Sequence, residues 1–236
     1  MKPREVLDRT TTPDGSPLEL SSEGGHFFIR VRGSTLMSSL ASGSEQAMAR
    51  VAAEHVGSRA GCRVLVGGLG MGFTCRAALD AFGETARVRV AELLAPIIAY
   101  NRGVLGPLAD HPLADPRVEV VEGDVRRSLE ERRWDAILLD VDNGPDAFTM
   151  RSNGELYAKA GVEQMAQALD PGGVLVVWSA SDSPRFEKVL AQAGLETETR
   201  RVFARADVRK GARHTLFVAR RPERRRSASG AGRPRA

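Results

Sequence analysis

The sequence predicts an α/β protein with a doubly wound, mostly parallel sheet and a small β-hairpin module at its N-terminus. One pattern in the sequence carries this prediction. From Arg63 onward, short apolar runs alternate with stretches of helical spacing, and continuous apolar strands are typical of parallel sheets that helices cover on both faces. We therefore divide the chain into a hairpin module (1–42), an α/β domain (43–220) and an Arg-rich tail (221–236) that we expect to be disordered.

The N-terminal module is predicted from two partly alternating runs, Pro17–Ser22 and His26–Arg32. They are separated by Glu23-Gly24-Gly25, a sequence typical of a hairpin turn. Helical spacing follows from Ser44 to His55, and Ser44 is of a residue type that favours the N-cap. We interpret Glu45 as an exposed helix acid; the alternative is that it lines a pocket near the N-terminal module.

The α/β domain is predicted element by element from Arg63. Its strands are Val64–Val66, Arg87–Ala91, Val118–Val121, Ala136–Leu139 and Val174–Trp178. Its helices are Phe73–Phe82, Leu93–Leu105, Glu155–Leu169 and Pro184–Ala193. Glu198–Phe203 and His214–Ala219 predict a closing antiparallel pair.

Composition narrows the function classes. Two cysteines, Cys62 and Cys75, have no metal-ligand spacing, and we expect no metal. The start of the chain has no apolar core of a signal peptide, and no run reaches the roughly 18 apolar residues of a membrane span. We therefore expect a cytoplasmic protein without a membrane partner. Seven arginines lie in residues 220–236, but aromatic residues are not interleaved, so nucleic acid is not the expected partner.

Four strand ends carry the residues of interest. The first strand runs into a glycine loop, Gly67–Gly72, and the next three are followed by Glu92, Asp124 and Asp140. Ligands of open α/β sheets bind beyond the carboxyl ends of the strands. These residues therefore predict one ligand site at that edge of the sheet.

Each residue type suits part of a nucleoside ligand. Gly68, Gly70 and Gly72 allow close approach of the backbone at a helix N-terminus. Glu92 lies 20 residues after Gly72, where an acid accepts hydrogen bonds from a ribose diol. Asp124 is assigned to an adenine amino group and Asp140 to the reacting centre. The spacing Gly68-x-Gly70-x-Gly72 departs from G-x-G-x-x-G and favours a nucleoside sulfonium; NAD is the alternative.

The run from Val64 to Ala219 resembles the spermidine synthases. The segments that carry the resemblance are the glycine loop with its strand, Val90-Ala91-Glu92, Glu122-Gly123-Asp124, Trp134–Asp140 and the following Val141-Asp142-Asn143-Gly144-Pro145. The resemblance implies a Rossmann-like sheet of the methyltransferase type with an antiparallel last strand. It also implies a possible homodimer and aminopropyl transfer from decarboxylated S-adenosylmethionine to a putrescine-like amine. Glu92 and Asp124 then bind the donor, Asp140 the attacking amine, and Asp142 and Asn143 the acceptor. Tyr157 is a further candidate for the acceptor site, and a place in the core or the pocket wall is the alternative.

The sequence departs from that family in ways that keep other functions open. Met71 or Gly70 stands where the family's loop carries an aspartate for the donor's amino group. This departure favours intact S-adenosylmethionine, and hence a methyltransferase acting on a small molecule, as the second hypothesis. A third is a nucleoside- or nucleic-acid-binding protein without catalysis. The four histidines are scattered, and we assign them no role.

Overall fold

The structure is a computed structural model, and it describes residues 3–57, 59–131, 133–141, 144–145, 151–205 and 210–223. Asp142, Asn143 and most of the Arg-rich tail lie outside the described residues. None of the described helices is long and apolar enough to cross a membrane.

The N-terminal module is a four-stranded antiparallel sheet in the order β1-β2-β3-β4. Its strands are β1 (Glu5–Thr11), β2 (Pro17–Glu23), β3 (His26–Val31) and β4 (Ser34–Ser38). The predicted hairpin is the central pair, in which Leu20 lies opposite Ile29 and both side chains are buried. The outer strands were not predicted, because β1 is almost entirely exposed and so lacks a buried apolar face that a pattern can reveal.

The main sheet has seven strands in the order β10-β11-β9-β8-β5-β6-β7. They are β5 (Arg63–Gly67), β6 (Arg87–Glu92), β7 (Val118–Glu122), β8 (Trp134–Leu139), β9 (Leu169–Ser179), β10 (Glu196–Arg205) and β11 (Lys210–Arg220). Strands β5 to β9 are mutually parallel, and β11 is antiparallel to both β9 and β10. The predicted fold class, including its antiparallel last strand, is confirmed.

Seven helices connect these strands within the described chain. They are α1 (Gly43–Val56), α2 (Phe73–Ala81), α3 (Ala95–Arg102), α4 (Val125–Glu131), α5 (Arg151–Tyr157), α6 (Lys159–Ala168) and α7 (Pro184–Gln192). Helix α4 was not predicted, since seven residues are too short to establish a helical period. The predicted helix 155–169 is interrupted between α5 and α6. Ser44 is not the N-cap as predicted, because α1 begins one residue earlier and Ser42 precedes it.

The core is divided by the main sheet. Side chains alternate across each strand, so Val64 and Val66 of β5 face the cluster packed by α1 to α3. Leu65 of the same strand faces the cluster packed by α4, α6 and α7. Helices on both faces leave the carboxyl edge of the strands open, and chain order reverses between β5 and β8 there. That edge is where ligands of doubly wound sheets bind.

Candidate active site

A cavity of about 510 Å³ lies at the carboxyl edge of the main sheet. It is bounded by the glycine loop, the ends of β6, β7 and β8, the start of α1 and one side of the N-terminal sheet. The predicted site residues that line it are Gly68, Gly70, Glu92, Asp124 and Asp140. The structure therefore brings together residues that are 72 positions apart at most, as expected from the strand ends.

The glycine loop is held against the neighbouring strand ends. Gly68 has a φ of +87°, and a Cβ there would lie 2.2 Å from the backbone oxygen of Asp140. Its N–H donates to the carbonyl of Ala91, 2.9 Å away. Gly72, with a φ of +86°, is the N-cap of α2 and does not line the cavity. Gly68 is thus required by the close packing of the backbone, whereas Gly72 sets the conformation at the start of α2.

Glu92 is buried at the end of β6 and organises the loop. Its Oε2 accepts the N–H of Leu69 at 2.9 Å, and its Oε1 accepts the N–H of Leu94 at 2.8 Å. Burial raises the pKa of Glu92, and the backbone hydrogen bonds oppose that effect. The backbone N–H groups of Leu93 and Gly70 lower the pKa in the same way, so four N–H groups of the loop and of the segment after β6 act on this carboxylate. Its ribose-binding role stays a prediction.

Asp124 follows β7 and is paired with Arg126. Its Oδ1 accepts the backbone N–H of Arg126, and its Oδ2 accepts the guanidinium of the same residue at 2.6 Å. Burial acts to raise the pKa of Asp124, but the hydrogen bonds from Arg126 bring it below its usual value. Arg126 also donates to Glu155 at 2.7 Å. Asp124 therefore orders the first turn of α4, and its adenine-binding role stays a prediction.

Asp140 follows β8 and faces the cavity. Its Oδ2 accepts a hydrogen bond from Thr74 of α2 at 3.0 Å. Burial, reinforced by the nearby charge of Glu45, raises the pKa of Asp140 to about 7. Such a carboxyl group changes its protonation near neutral pH, as a group that exchanges a proton with substrate must do.

Glu45 lines the same cavity, contrary to its interpretation as an exposed helix acid. Burial raises its pKa, and a hydrogen bond from Ser44 to its Oε2 at 2.6 Å acts in the opposite direction. The Nδ1 of His214 lies 2.9 Å from the hydroxyl of Ser44, and the His214 ring packs edge-on against Trp178 at 4.7 Å. Burial lowers the pKa of His214.

Sequence reasoning missed Glu45 and His214 as members of one site. His214 is 169 residues beyond Glu45, and only the packing of α1 near β11 brings them together. The available signal was the position of Glu45 in the first turn of the helix that precedes the glycine loop.

Tyr157 was predicted to bind substrate, but it lies behind the cavity wall. It is 5% exposed, and its hydroxyl donates to the carbonyl of Val141 at 2.7 Å. Its ring packs edge-on against Phe186 at 5.6 Å. Since Val141 lines the cavity, Tyr157 supports that wall from the core and does not reach the cavity itself.

The cavity wall is predominantly acidic among the described residues. Five carboxyl side chains and two arginines line it: Asp14, Glu45, Glu92, Asp124, Asp140, Arg32 and Arg126. Both arginines already contact carboxylates, since Arg32 lies 3.4 Å from Asp14 and Arg126 is paired as described above. Such a wall attracts cationic ligands over anionic ones.

Comparisons with known proteins agree with this architecture. A family model described as S-adenosyl-L-methionine-dependent methyltransferase matches residues 109–213. No curated protein matches the chain. The fold is therefore of the methyltransferase-like α/β type.

Within that class, solved spermidine synthases have similar structures. One, in complex with the transition state analogue AdoDATO, has a TM-score of 0.69 at 16% identity. Another, from Thermotoga maritima, has a TM-score of 0.70 at 15% identity. Each comparison covers 91% of this chain and 72% of the other. The resemblance to spermidine synthases is confirmed at the level of the fold.

Proposed function

We propose that the chain is a transferase that moves an aminopropyl group from decarboxylated S-adenosylmethionine to a putrescine-like amine. The observation that carries the proposal is the presence of two carboxyl groups, Asp140 and Glu45, in the same cavity as the glycine loop and Glu92. The loop and Glu92 suit a nucleoside, and the two acids suit an amine. The cavity therefore contains groups suited to both substrates, the nucleoside donor and the amine acceptor.

The donor half rests on backbone geometry and charge. The glycine loop approaches the cavity without side chains at Gly68 and Gly70, which leaves room for an adenosine group. We assign Glu92 to the ribose diol, and each charge-assisted hydrogen bond to its carboxylate contributes about 1.5–3 kcal/mol. The acidic wall favours the decarboxylated donor, which carries one negative charge fewer than its parent.

The acceptor half rests on proton chemistry. An alkyl amine is an ammonium ion at neutral pH and has no lone pair for attack until it loses a proton. Asp140, with a pKa raised to about 7, is suited to receive that proton. The amine nitrogen then attacks the methylene carbon, the carbon–sulfur bond breaks, and its electron pair stays on sulfur. Alignment of the two substrates alone can lower the barrier by about 7–11 kcal/mol.

A methyltransferase that uses intact S-adenosylmethionine is the second candidate. Positions 70 and 71 of the loop carry glycine and methionine, so no carboxylate there repels the carboxylate of the intact donor. Arg32 on the cavity wall is a cation for that carboxylate. The family model matched by residues 109–213 also has a methyltransferase description.

Calorimetry with the two donors separates these candidates. We expect the full chain to bind decarboxylated S-adenosylmethionine at least about tenfold more tightly than the parent, as the loss of one unfavourable charge contact implies. Tighter binding of the parent selects methyl transfer. If neither compound binds at millimolar concentration, the nucleoside site itself is refuted.

Replacement of Asp140 tests the acceptor half. Asp140→Asn keeps the side-chain size and its bond from Thr74, so donor affinity should change less than about twofold, whereas transfer to putrescine should fall by about 10²–10⁴-fold. Asp80→Asn is the control, since Asp80 is exposed on α2 and pairs with Arg76. Unchanged turnover in Asp140→Asn removes Asp140 from the mechanism.

A further inference from the structure

A buried asparagine of α3, Asn101, is bonded to the glycine loop. Its Nδ2 donates to the carbonyl oxygen of Gly70 at 2.8 Å and to that of Ile97, one turn earlier in α3, at 2.9 Å. Because both partners are carbonyl oxygens, only the amide nitrogen can face them. Asn101 is 1% exposed and is not one of the described residues that line the cavity, so it contacts the loop from behind the cavity wall.

The other end of the Asn101 side chain is left unpaired. Its Oδ1 is buried and accepts no hydrogen bond from the described residues. A buried acceptor without a partner is costly and needs an explanation, so the orientation of this amide must serve its two N–H groups. A serine or threonine hydroxyl could make the bond to Ile97, since Ile97 is four residues earlier in the same helix. The bond to Gly70 is therefore the one that requires asparagine.

The N–H groups of the loop show what this bond orients. Four of them have partners within the protein: those of Gly68, Leu69, Gly70 and Gly72. The N–H of Met71 is paired with none of the described residues, although Met71 is 3% exposed and lines the cavity. Buried backbone N–H groups are nearly always paired, so the N–H of Met71 is suited to an acceptor atom of a ligand.

One peptide unit connects Asn101 with the N–H of Met71. The carbonyl of Gly70 and the N–H of Met71 belong to the same peptide, which is trans, so the two groups point in opposite directions. By holding the carbonyl, Asn101 fixes the direction of the N–H. Gly70 has no Cβ and a φ of +55°, so this peptide can rotate readily once the bond to Asn101 is removed.

We propose that Asn101 is a positioning residue of the donor site, which holds the Gly70–Met71 peptide so that the N–H of Met71 is directed at an oxygen acceptor of the nucleoside donor. The identity of the ligand as this donor rests on the proposed function. The acceptor is an oxygen of the ribose or of the carboxylate that only intact S-adenosylmethionine carries. Asn101 does not touch the ligand. It strengthens donor binding because an N–H that is already oriented needs no ordering when the donor binds.

Amide NMR of protein labelled with ¹⁵N-methionine tests the positioning without a ligand. The chain has six methionines, and Met71→Leu identifies the Met71 signal. Asn101→Ser keeps a hydroxyl for Ile97 but is too short to reach Gly70, so the Met71 signal should shift or broaden. Asn101→Thr, which fills more of the space, is used if the serine variant does not fold. A Met71 signal unchanged from the wild type in these variants overturns the proposal.

Tyr100→Phe is the matched control for both experiments. Tyr100 is the neighbour of Asn101 on α3, and its hydroxyl donates to Asp8 of β1 and not to the loop. Its replacement therefore removes a hydrogen bond from the same helix and should leave the Met71 signal where it is in the wild type.

Calorimetry with decarboxylated S-adenosylmethionine tests the consequence for the donor. Asn101→Ser should bind it about three- to tenfold more weakly than the wild type, as expected for one neutral hydrogen bond, and Tyr100→Phe should bind it as the wild type does. In turnover, the KM for the donor should rise in Asn101→Ser while kcat and the KM for the amine stay the same. Equal weakening of donor binding in both variants would assign Asn101 a role in stability alone and overturn the proposal.

Two further ligands identify the acceptor atom. Methylthioadenosine carries the ribose but no amino-acid tail, so a shift of the Met71 signal with this compound assigns a ribose oxygen. A shift with intact S-adenosylmethionine alone assigns the carboxylate. If the protein binds these compounds and none of them, nor the decarboxylated donor, shifts the Met71 signal, the proposal is overturned and the proposed function stands. If the wild type binds none of them, the nucleoside site of the proposed function is refuted and so is the ligand named here, whereas the NMR comparison of the ligand-free variants still decides whether Asn101 holds the loop.

Discussion

Gly68→Ala and Gly70→Ala together distinguish the energetic cost of a left-handed backbone conformation from the cost of a steric clash with neighbouring backbone. Gly68 and Gly70 both have positive φ, +87° and +55°, so alanine at either position costs about 1–2 kcal/mol in the left-handed region. A Cβ at Gly70 would meet only the sulfur of Met37, at 3.7 Å, which is ordinary contact. A Cβ at Gly68 would lie 2.2 Å from the backbone oxygen of Asp140, so the ends of β5 and β8 have to separate.

The expected losses of stability follow from that difference. Forcing packed groups apart adds about 1–3 kcal/mol, so Gly68→Ala should lose about 2–5 kcal/mol and Gly70→Ala about 1–2 kcal/mol. With an m-value of about 3 kcal/mol/M, the urea midpoint should fall by about 0.7–1.7 M for Gly68→Ala and by about 0.3–0.7 M for Gly70→Ala. Equal midpoints for the two variants would refute the close approach of the loop to Asp140.

Three further predictions concern the side chains of Glu92, Asp140 and Tyr100. Glu92→Ala leaves the N–H groups of Leu69 and Leu94 without their acceptor, and we expect donor affinity measured by calorimetry to fall by about tenfold or more; near-normal affinity would mean that the ribose binds elsewhere. The folded-state pKa of Asp140, about 7, lies above its ordinary value of 3.8, so its contribution to stability is complete below pH 4 and is lost as pH rises through 7. Asp140→Asn, which carries no charge, should therefore melt at a higher temperature than the wild type at pH 8, and a pH-independent difference in melting temperature would contradict this. Tyr100 donates to Asp8 of β1 at 2.6 Å, so Tyr100→Phe should cost about 1–2 kcal/mol in thermal unfolding, and an unchanged melting temperature would show that this link is unimportant.

The fold class was predictable because its signals are local. Apolar runs such as Ala136–Leu139 need burial on both faces, and that requirement can be read without knowing their neighbours. Helix α4 and strand β1 were missed because one is short and the other exposed, so neither contains enough buried positions to define a period.

The candidate site was predictable as far as strand ends determine it. Glu92, Asp124 and Asp140 each follow a parallel strand, and parallel strands end on the same edge of a sheet, so their meeting at one cavity follows from their positions. The hydrogen-bond partners of these carboxyl groups did not follow from the sequence. The bonds of Glu92 to the loop and the pairing of Asp124 with Arg126 depend on side-chain directions that spacing does not specify.

The amino-acid sequence by itself determined the α/β class, the strands from Arg63 onward with most of the helices between them, and the edge of the sheet at which a ligand is expected. Only the tertiary structure decided that Glu45 joins Asp140 in the cavity, that His214 contacts the hydroxyl of Ser44 beside Glu45, and that Tyr157 packs in the core. The physical reason is the range of the interactions. Periodicity and turn chemistry act over a few residues, whereas the coupling of two carboxyl groups depends on helix packing between segments that the sequence separates widely.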